Sequence, residues 1–272
     1  MSFKHQASAY IQYLWKAKNE HSVHSPFLFK LLIHAFYKAK SNSDLEALDT
    51  WYKNMCQSEE SFQFEDFGAG SHINKAKTRQ VGEFTRAVGK PKKYRHLMYH
   101  LCAQLQPKSI LELGSATGVS GAYMAKGYSS SKLISIEGST ELAQIASREW
   151  NKLGIKNASI KSGEFNVHLD SVLSELKPLD LAYIDGNHQE EPTLAYFEKV
   201  LEYGSDNLTI IFDDIYWSEG MTKAWEKIKA HSKVRQSVDV FQMGVILFII
   251  VKGHFPFEEA NAKDYYYSLI IK

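Results

Sequence analysis

Three aspartates stand where apolar runs end in the second half of the chain. Asp185 closes "LDLAYID" and is followed by Gly186, Asn187 and His188; Asp213 and Asp214 close "NLTIIFDD". If these runs are neighbouring strands, their carboxylates converge at strand ends, where open α/β sheets bind their ligands. Three carboxylates, with water and a substrate oxygen, suit a hard octahedral cation such as Mg²⁺. The expected metal ligands are therefore Asp185, Asp213 and Asp214. His188, three residues past Asp185, is a candidate base for a proton leaving a hydroxyl at neutral pH. Each of these residues also has a purely structural reading. Asp213 and Asp214 can cap the helix that starts near Ser218, Asp185 can form a turn with Gly186, and His188 can be an ordinary hydrogen-bonded histidine.

A second constellation lies in "ILELGSATGVSGAYMA", residues 110–125, where an apolar run ends in Glu112, turns through Gly114, Ser115, Thr117 and Gly118, and enters a helix. Such a turn presents backbone N–H groups to an anionic ligand group. "EDFGAGSH", residues 65–72, has glycines too, but "SEESFQFEDF" before it is a poor strand. That loop reads as a turn, or as a lid with Asp66, Ser71 and His72 as polar contacts. The spacing Gly114–Gly118–Gly121 also resembles that of short-chain dehydrogenases, which need a late Tyr-x-x-x-Lys pair. The only such pair here, Tyr128–Lys132, comes ten residues after Gly118.

S-adenosylmethionine has no phosphate; it offers a carboxylate, an ammonium, a ribose diol and an adenine. Glu112 is placed to receive the ammonium, directly or through water, and the N–H groups of the 115–119 turn the carboxylate. Glu137, in "SIEGS" beside Gly138, is placed to accept both ribose hydroxyls. Gly163, Glu164 and Phe165, in "KSGEF", fall near the adenine, with Glu164 accepting its amino group and Phe165 stacking on it. Asp185 is assigned both to donor binding and to catalysis.

The elements that must position these residues follow from periodicity. Residues 1–105 are helical and aromatic-rich, with "SPFLFKLLIHAFYKA" starting at Ser25 and Pro26 and an amphipathic stretch over 95–105. From 108 onward strands and helices alternate, which means a parallel sheet covered on both faces. "KVRQSVDV" and "GVILFIIV" are too close together for a crossover helix and form an antiparallel hairpin. The chain of 272 residues is 44% hydrophobic and 23% charged, with net charge +1. No basic field points to nucleic acid, and the cluster Lys90, Lys92, Lys93 and Arg95 reads as solvated surface. The longest apolar run, "VILFIIV", is far shorter than the ~20 residues of a membrane span. The two cysteines, Cys56 and Cys102, form no framework, and the N-terminus carries no signal-peptide pattern, so the expected place is a reducing cytoplasm. His21 and His24, in "HSVHSP", read as part of a helix start rather than as ligands.

Taken in order, "LELGSATG", "SIEG", "KSGEF", "YIDGNH" and "FDDIYWSEGM" resemble a class I S-adenosylmethionine-dependent methyltransferase, within the O-methyltransferase group that includes catechol-type and macrocin-type enzymes. The resemblance covers about residues 108–252. It implies a doubly wound, Rossmann-like α/β fold with a seven-stranded sheet and an antiparallel last strand. It implies S-adenosylmethionine and a divalent cation such as Mg²⁺ as cofactors, and transfer of a methyl group to a hydroxyl of a small acceptor. Asn187 stands where relatives often carry an acid. The implied organisation is a helical N-terminal region, 1–105, for substrate cover or a homodimer contact; a methyltransferase domain, 106–254; and an extension, 255–272. Other readings stay open: a donor-binding protein without turnover, an N-methyltransferase, or an NAD(P)-dependent oxidoreductase. Trp217 and Tyr216, just past the acid pair, are either a wall for an aromatic or lipid-like acceptor or core packing.

Overall fold

The computed structural model describes residues 3–17, 26–37, 40–64, 77–248 and 267–270. The loop carrying Asp66, Ser71 and His72, the histidines His21 and His24, Ser25 and most of the 255–272 extension lie outside the described residues. The chain divides into two compact units, Leu31–Leu176 and Met1–Lys30 with Lys177–Lys272. The dividing line falls within α2 (Pro26–Leu32), which runs on into a π-helical turn, Ile33–Tyr37.

In the 31–176 unit, α3 (Ser43–Met55), α4 (Val81–Val88) and α5 (Lys92–Leu105) precede an alternating run. That run is β3 (Ser109–Leu113), α6 (Val119–Gly127), β4 (Lys132–Glu137), α7 (Thr140–Lys152), β5 (Ala158–Ser162) and α8 (Phe165–Leu176). β3 pairs in parallel with β4, and β4 with β5. All five residues of β3 are buried, as are the last five of β4. A parallel strand covered on both faces is written as a continuous apolar run, which is why "SILEL" and "LISI" carry almost no polar alternation. Each such Leu or Ile contributes about 1.5–3 kcal/mol by leaving water. The polar joint of this unit is Asp49 on α3. Its Oδ2 lies 2.8 Å from Lys92 Nζ and 2.9 Å from His96 Nε2 on α5, and the Tyr123 hydroxyl of α6 donates to its Oδ1 at 2.7 Å.

One expectation for this unit is corrected. The segment before the 65–72 loop, read as a poor strand, forms β1 (Ser61–Phe64), paired antiparallel with β2 (Lys77–Gln80). Its inward residue Phe62 is buried and meets Phe84 of α4 edge to face at 5.5 Å. The long-range partner and this aromatic contact decide the conformation, and neither is visible in the short polar alternation S-F-Q-F.

The other unit contains α1 (Phe3–Lys16), β6 (Leu179–Ile184), α9 (Glu190–Tyr203), β7 (Gly204–Asp213), α10 (Glu219–Lys229), β8 (Gln236–Asp239), β9 (Met243–Leu247) and β10 (Tyr267–Ile270). β6 and β7 are parallel, while β9 runs antiparallel to both β7 and β8. β3 to β9 are thus the seven strands expected of a doubly wound, Rossmann-like α/β fold, with the last one antiparallel. β10 is an addition to them, pairing in parallel with β8. α1 is held against this unit by aromatic contacts, Tyr10 and Tyr13 standing 4.8 and 5.3 Å from Phe241, and by His5 at 3.1 Å from the Thr222 hydroxyl. Among the described residues no helix is long and apolar enough to cross a membrane.

Candidate active site

The glycine turn is built by sterics. β3 delivers the chain to Gly114 at φ +90°, then Ala116 at +47° and Gly118 at +83°. A Cβ on Gly118 would lie 2.7 Å from Ala146 Cβ, and one on Gly121 only 2.4 Å from Trp150 Cζ2, so α7 packs directly on this backbone. The Trp150 indole N–H donates to the Gly118 carbonyl at 2.7 Å. Gly118 is also the N-cap of α6, and no side chain caps that helix. Its first turn therefore presents main-chain donors and the positive end of the helix dipole.

Each residue expected around the donor has a definite place. Glu112 is wholly buried beneath the turn and accepts a hydrogen bond from the Ser120 hydroxyl. Ser115 and Thr117 are buried as well, and Thr117 Oγ1 accepts from Thr85 Oγ1 at 3.1 Å, so these two side chains shape the turn from inside. Glu137 joins two loops, accepting the Ala116 N–H at 2.8 Å on Oε2 and the Ser139 N–H at 3.0 Å on Oε1. A carboxylate has about four lone-pair sites, so two N–H donors leave capacity for ligand hydroxyls. Gly138 is half-buried beside it. Gly163, at φ +137°, donates its N–H to the Glu137 carbonyl at 2.8 Å and leads to exposed Glu164 and half-buried Phe165, the first residue of α8. The structure thus brings Glu112, Gly114, Ser115, Thr117, Gly118, Glu137, Gly138 and Gly163 into one connected group.

The acids of the other unit form their own group around a residue that sequence reading passed over. The buried Tyr183 hydroxyl lies 2.9 Å from Asp213 Oδ2 and 3.1 Å from Asp185 Oδ2. Burial, and then the charges of Asp185 and Asp213, raise its pKa well above the usual tyrosine range, so it stays protonated. Asp213 is fully buried and accepts the Asp214 N–H on Oδ1 at 3.0 Å. Asp185 Oδ1 lies 3.4 Å from His188 Nε2, and the imidazole stands 6.1 Å from the exposed Trp217 ring. Asn187, His188 and Asp214 have φ of +69°, +38° and +49°. Non-glycine residues in this region cost about 1–3 kcal/mol each and gather at functional sites. Asn187 is held there by its amide, which donates to the Tyr196 hydroxyl at 3.2 Å. The helix-capping alternative for Asp213 and Asp214 falls away, because Ser218 caps α10 by accepting the Met221 N–H at 3.1 Å. Tyr183 could have been found from strand alternation, since residues 183 and 185 share a face.

The expected cation site is not gathered. Among the described residues, no group of three or more His, Cys, Asp or Glu side chains is arranged to hold a metal ion. Asp213 and Asp185 direct oxygens at the Tyr183 hydroxyl, and the second Asp213 oxygen takes a main-chain N–H. The residues present do not fit Mg²⁺ as expected of Asp185, Asp213 and Asp214.

A family profile described as a methyltransferase domain matches residues 111–215. Over that stretch the chain is similar to methyltransferase domains. Solved structures share its fold. An O-methyltransferase from Bacillus cereus, in complex with S-adenosylhomocysteine, superposes with a TM-score of 0.52 at 17% identity, over 80% of this chain and 96% of that one. TomG from Streptomyces achromogenes, an O-methyltransferase involved in tomaymycin synthesis and bound to S-adenosylmethionine, gives 0.55 at 14% identity, over 78% and 92%. A structure from Staphylococcus aureus described as that of a caffeoyl-CoA O-methyltransferase candidate gives 0.53 at 14%, over 81% and 97%. No curated protein matches the sequence significantly. The matched stretch begins inside β3 and ends just past Asp214, so it spans both the glycine turn and the acid group.

Proposed function

We propose that this protein is an S-adenosylmethionine-dependent O-methyltransferase that methylates a hydroxyl of a small acceptor in a cytoplasmic setting. The observation that carries the reading is the Asp185–His188 pair at the end of β6, with His188 on a left-handed backbone, inside the stretch that matches a methyltransferase domain. The donor's carboxylate is assigned to the first turn of α6 and its ribose hydroxyls to Glu137. Gly163, Glu164 and Phe165 are assigned to the adenine. Glu112, buried beneath the turn, is assigned to the donor's ammonium, directly or through water.

Transfer is an in-line displacement at an already activated methyl carbon, so the protein chiefly aligns the reactants. The acceptor oxygen forms the new C–O bond, and the C–S bond breaks with its electron pair going to sulfur. The hydroxyl proton goes to His188, and Asp185 stabilises the imidazolium that results. No step passes through a divalent cation. Trp217 beside His188 offers a flat face, which favours an aromatic acceptor over an aliphatic one. The match to a methyltransferase domain over residues 111–215 favours this reading over the nicotinamide one.

Calorimetry on the full chain with S-adenosylmethionine, S-adenosylhomocysteine and NAD tests the donor assignment. Binding of the first two and not of NAD is expected; the reverse pattern sinks the proposal. Methyl transfer to a phenolic probe such as catechol, followed by S-adenosylhomocysteine release, separates an enzyme from a protein that only binds the donor. An amine probe methylated in preference to catechol would turn the reading to N-methyl transfer.

A further inference from the structure

A divalent cation between two carboxylates removes their repulsion and fixes their oxygens. In this protein a hydroxyl occupies that place. Tyr183 reaches Asp213 Oδ2 at 2.9 Å and Asp185 Oδ2 at 3.1 Å, from a strand residue that is wholly buried. These are hydrogen-bond lengths, about 0.8–1 Å longer than the 2.0–2.1 Å that Mg²⁺ requires to each oxygen. Asp213 is further committed through the Asp214 N–H, which its Oδ1 accepts while the same N–H also reaches the Gln242 carbonyl at 2.7 Å. Turning Asp213 toward an ion would give up its 2.9 Å contact with the buried Tyr183 hydroxyl and leave the Asp214 N–H to the Gln242 carbonyl alone.

We propose that Tyr183 closes the Asp185–Asp213 pair in place of a divalent cation, so that this protein's acid group is metal-free in its working state. Tyr183 is then a positioning residue. Its single proton is shared between the two carboxylates, and the 3.1 Å contact holds one oxygen of Asp185 while the other lies 3.4 Å from His188 Nε2. The catalytic consequence rests on the function proposed above, but the metal consequence does not, and the two fail separately.

The probe is Mn²⁺ alone, followed by electron paramagnetic resonance on the full chain without donor or acceptor. The wild-type protein is expected to leave the free Mn²⁺ signal unchanged into the millimolar range. Tyr183→Phe, which keeps the ring and removes the hydroxyl, is expected to bind Mn²⁺ at least tenfold more tightly, and the added change Asp213→Asn to abolish that gain. Wild-type binding in the micromolar range that Asp213→Asn removes overturns the proposal, whatever the variant does. Silence of a folded Tyr183→Phe, with folding checked by circular dichroism, overturns the assignment to Tyr183. Failure to bind S-adenosylmethionine would sink the proposed function and leave the Mn²⁺ result standing.

Discussion

The glycine turn and the acid group solve the same problem, that of holding a polar site at strand ends, in opposite ways. The turn is made of backbone. Gly118 and Gly121 let α7 approach until an added methyl would collide, and Glu137 fastens the turn by accepting main-chain N–H groups. The acid group is made of side chains that hold one another: Tyr183 to Asp213 and Asp185, Asp185 to His188. A backbone-built site fails when volume is added, whereas one built from side chains fails when a proton carrier or acceptor is removed.

The largest expected effect sharpens this contrast at the acid end. His188→Ala should lower methyl transfer to a catechol probe by about 10²–10⁴-fold while leaving S-adenosylmethionine affinity unchanged. An unchanged rate would remove His188 from the chemistry. At the turn the balance should invert. Gly121→Ala puts a methyl 2.4 Å from Trp150 Cζ2 and 2.8 Å from Glu112 Oε2, both in the buried interior. It should cost about 1–3 kcal/mol in denaturant unfolding and weaken donor binding as well.

A third test concerns the frame around the turn. Burial pushes the Asp49 carboxyl up, but hydrogen bonds from Lys92, Tyr123 and His96 outweigh it and bring its pKa down to about 2. A carboxyl depressed in the folded state contributes stability above its unfolded pKa of about 3.9, and that contribution is lost as pH falls toward 2. Asp49→Asn should flatten the acid limb of the stability curve between about pH 4 and 2. An unaltered limb would show that other carboxylates set it. The smallest effects come from a matched pair of caps, Ser139 of α7 and Ser218 of α10. Each Ser→Ala change should cost about 1 kcal/mol. Equal losses of global stability would mean that the two units unfold together, and loss from one transition only would mean that they do not.

Much of the architecture was legible because parallel buried strands leave an unmistakable apolar record. "SILEL", "LISI" and "TIIF" fall in β3, β4 and β7, and the close spacing of the last two strands gave their antiparallel pairing. β1 was not legible, because its partner β2 begins thirteen residues after it ends (77 − 64 = 13), and local propensity says nothing about that pairing. In the site, glycine positions and strand-end acids could be read by type and spacing. The direction of each carboxylate could not. Sequence places Glu112 at a strand end but does not say that it points inward to Ser120. Nor does it say that the tyrosine in an apolar stretch brings its hydroxyl to two aspartates.

The bond from the Trp150 indole to the Gly118 carbonyl turns one of the chain's five tryptophans into a built-in optical reporter. Once Trp15, Trp51, Trp217 and Trp225 are replaced by phenylalanine, the remaining fluorescence comes from a ring lying against the loop that is assigned to the donor. Its emission colour and lifetime will register every ligand that tightens or loosens that loop, with no label attached and no acceptor known.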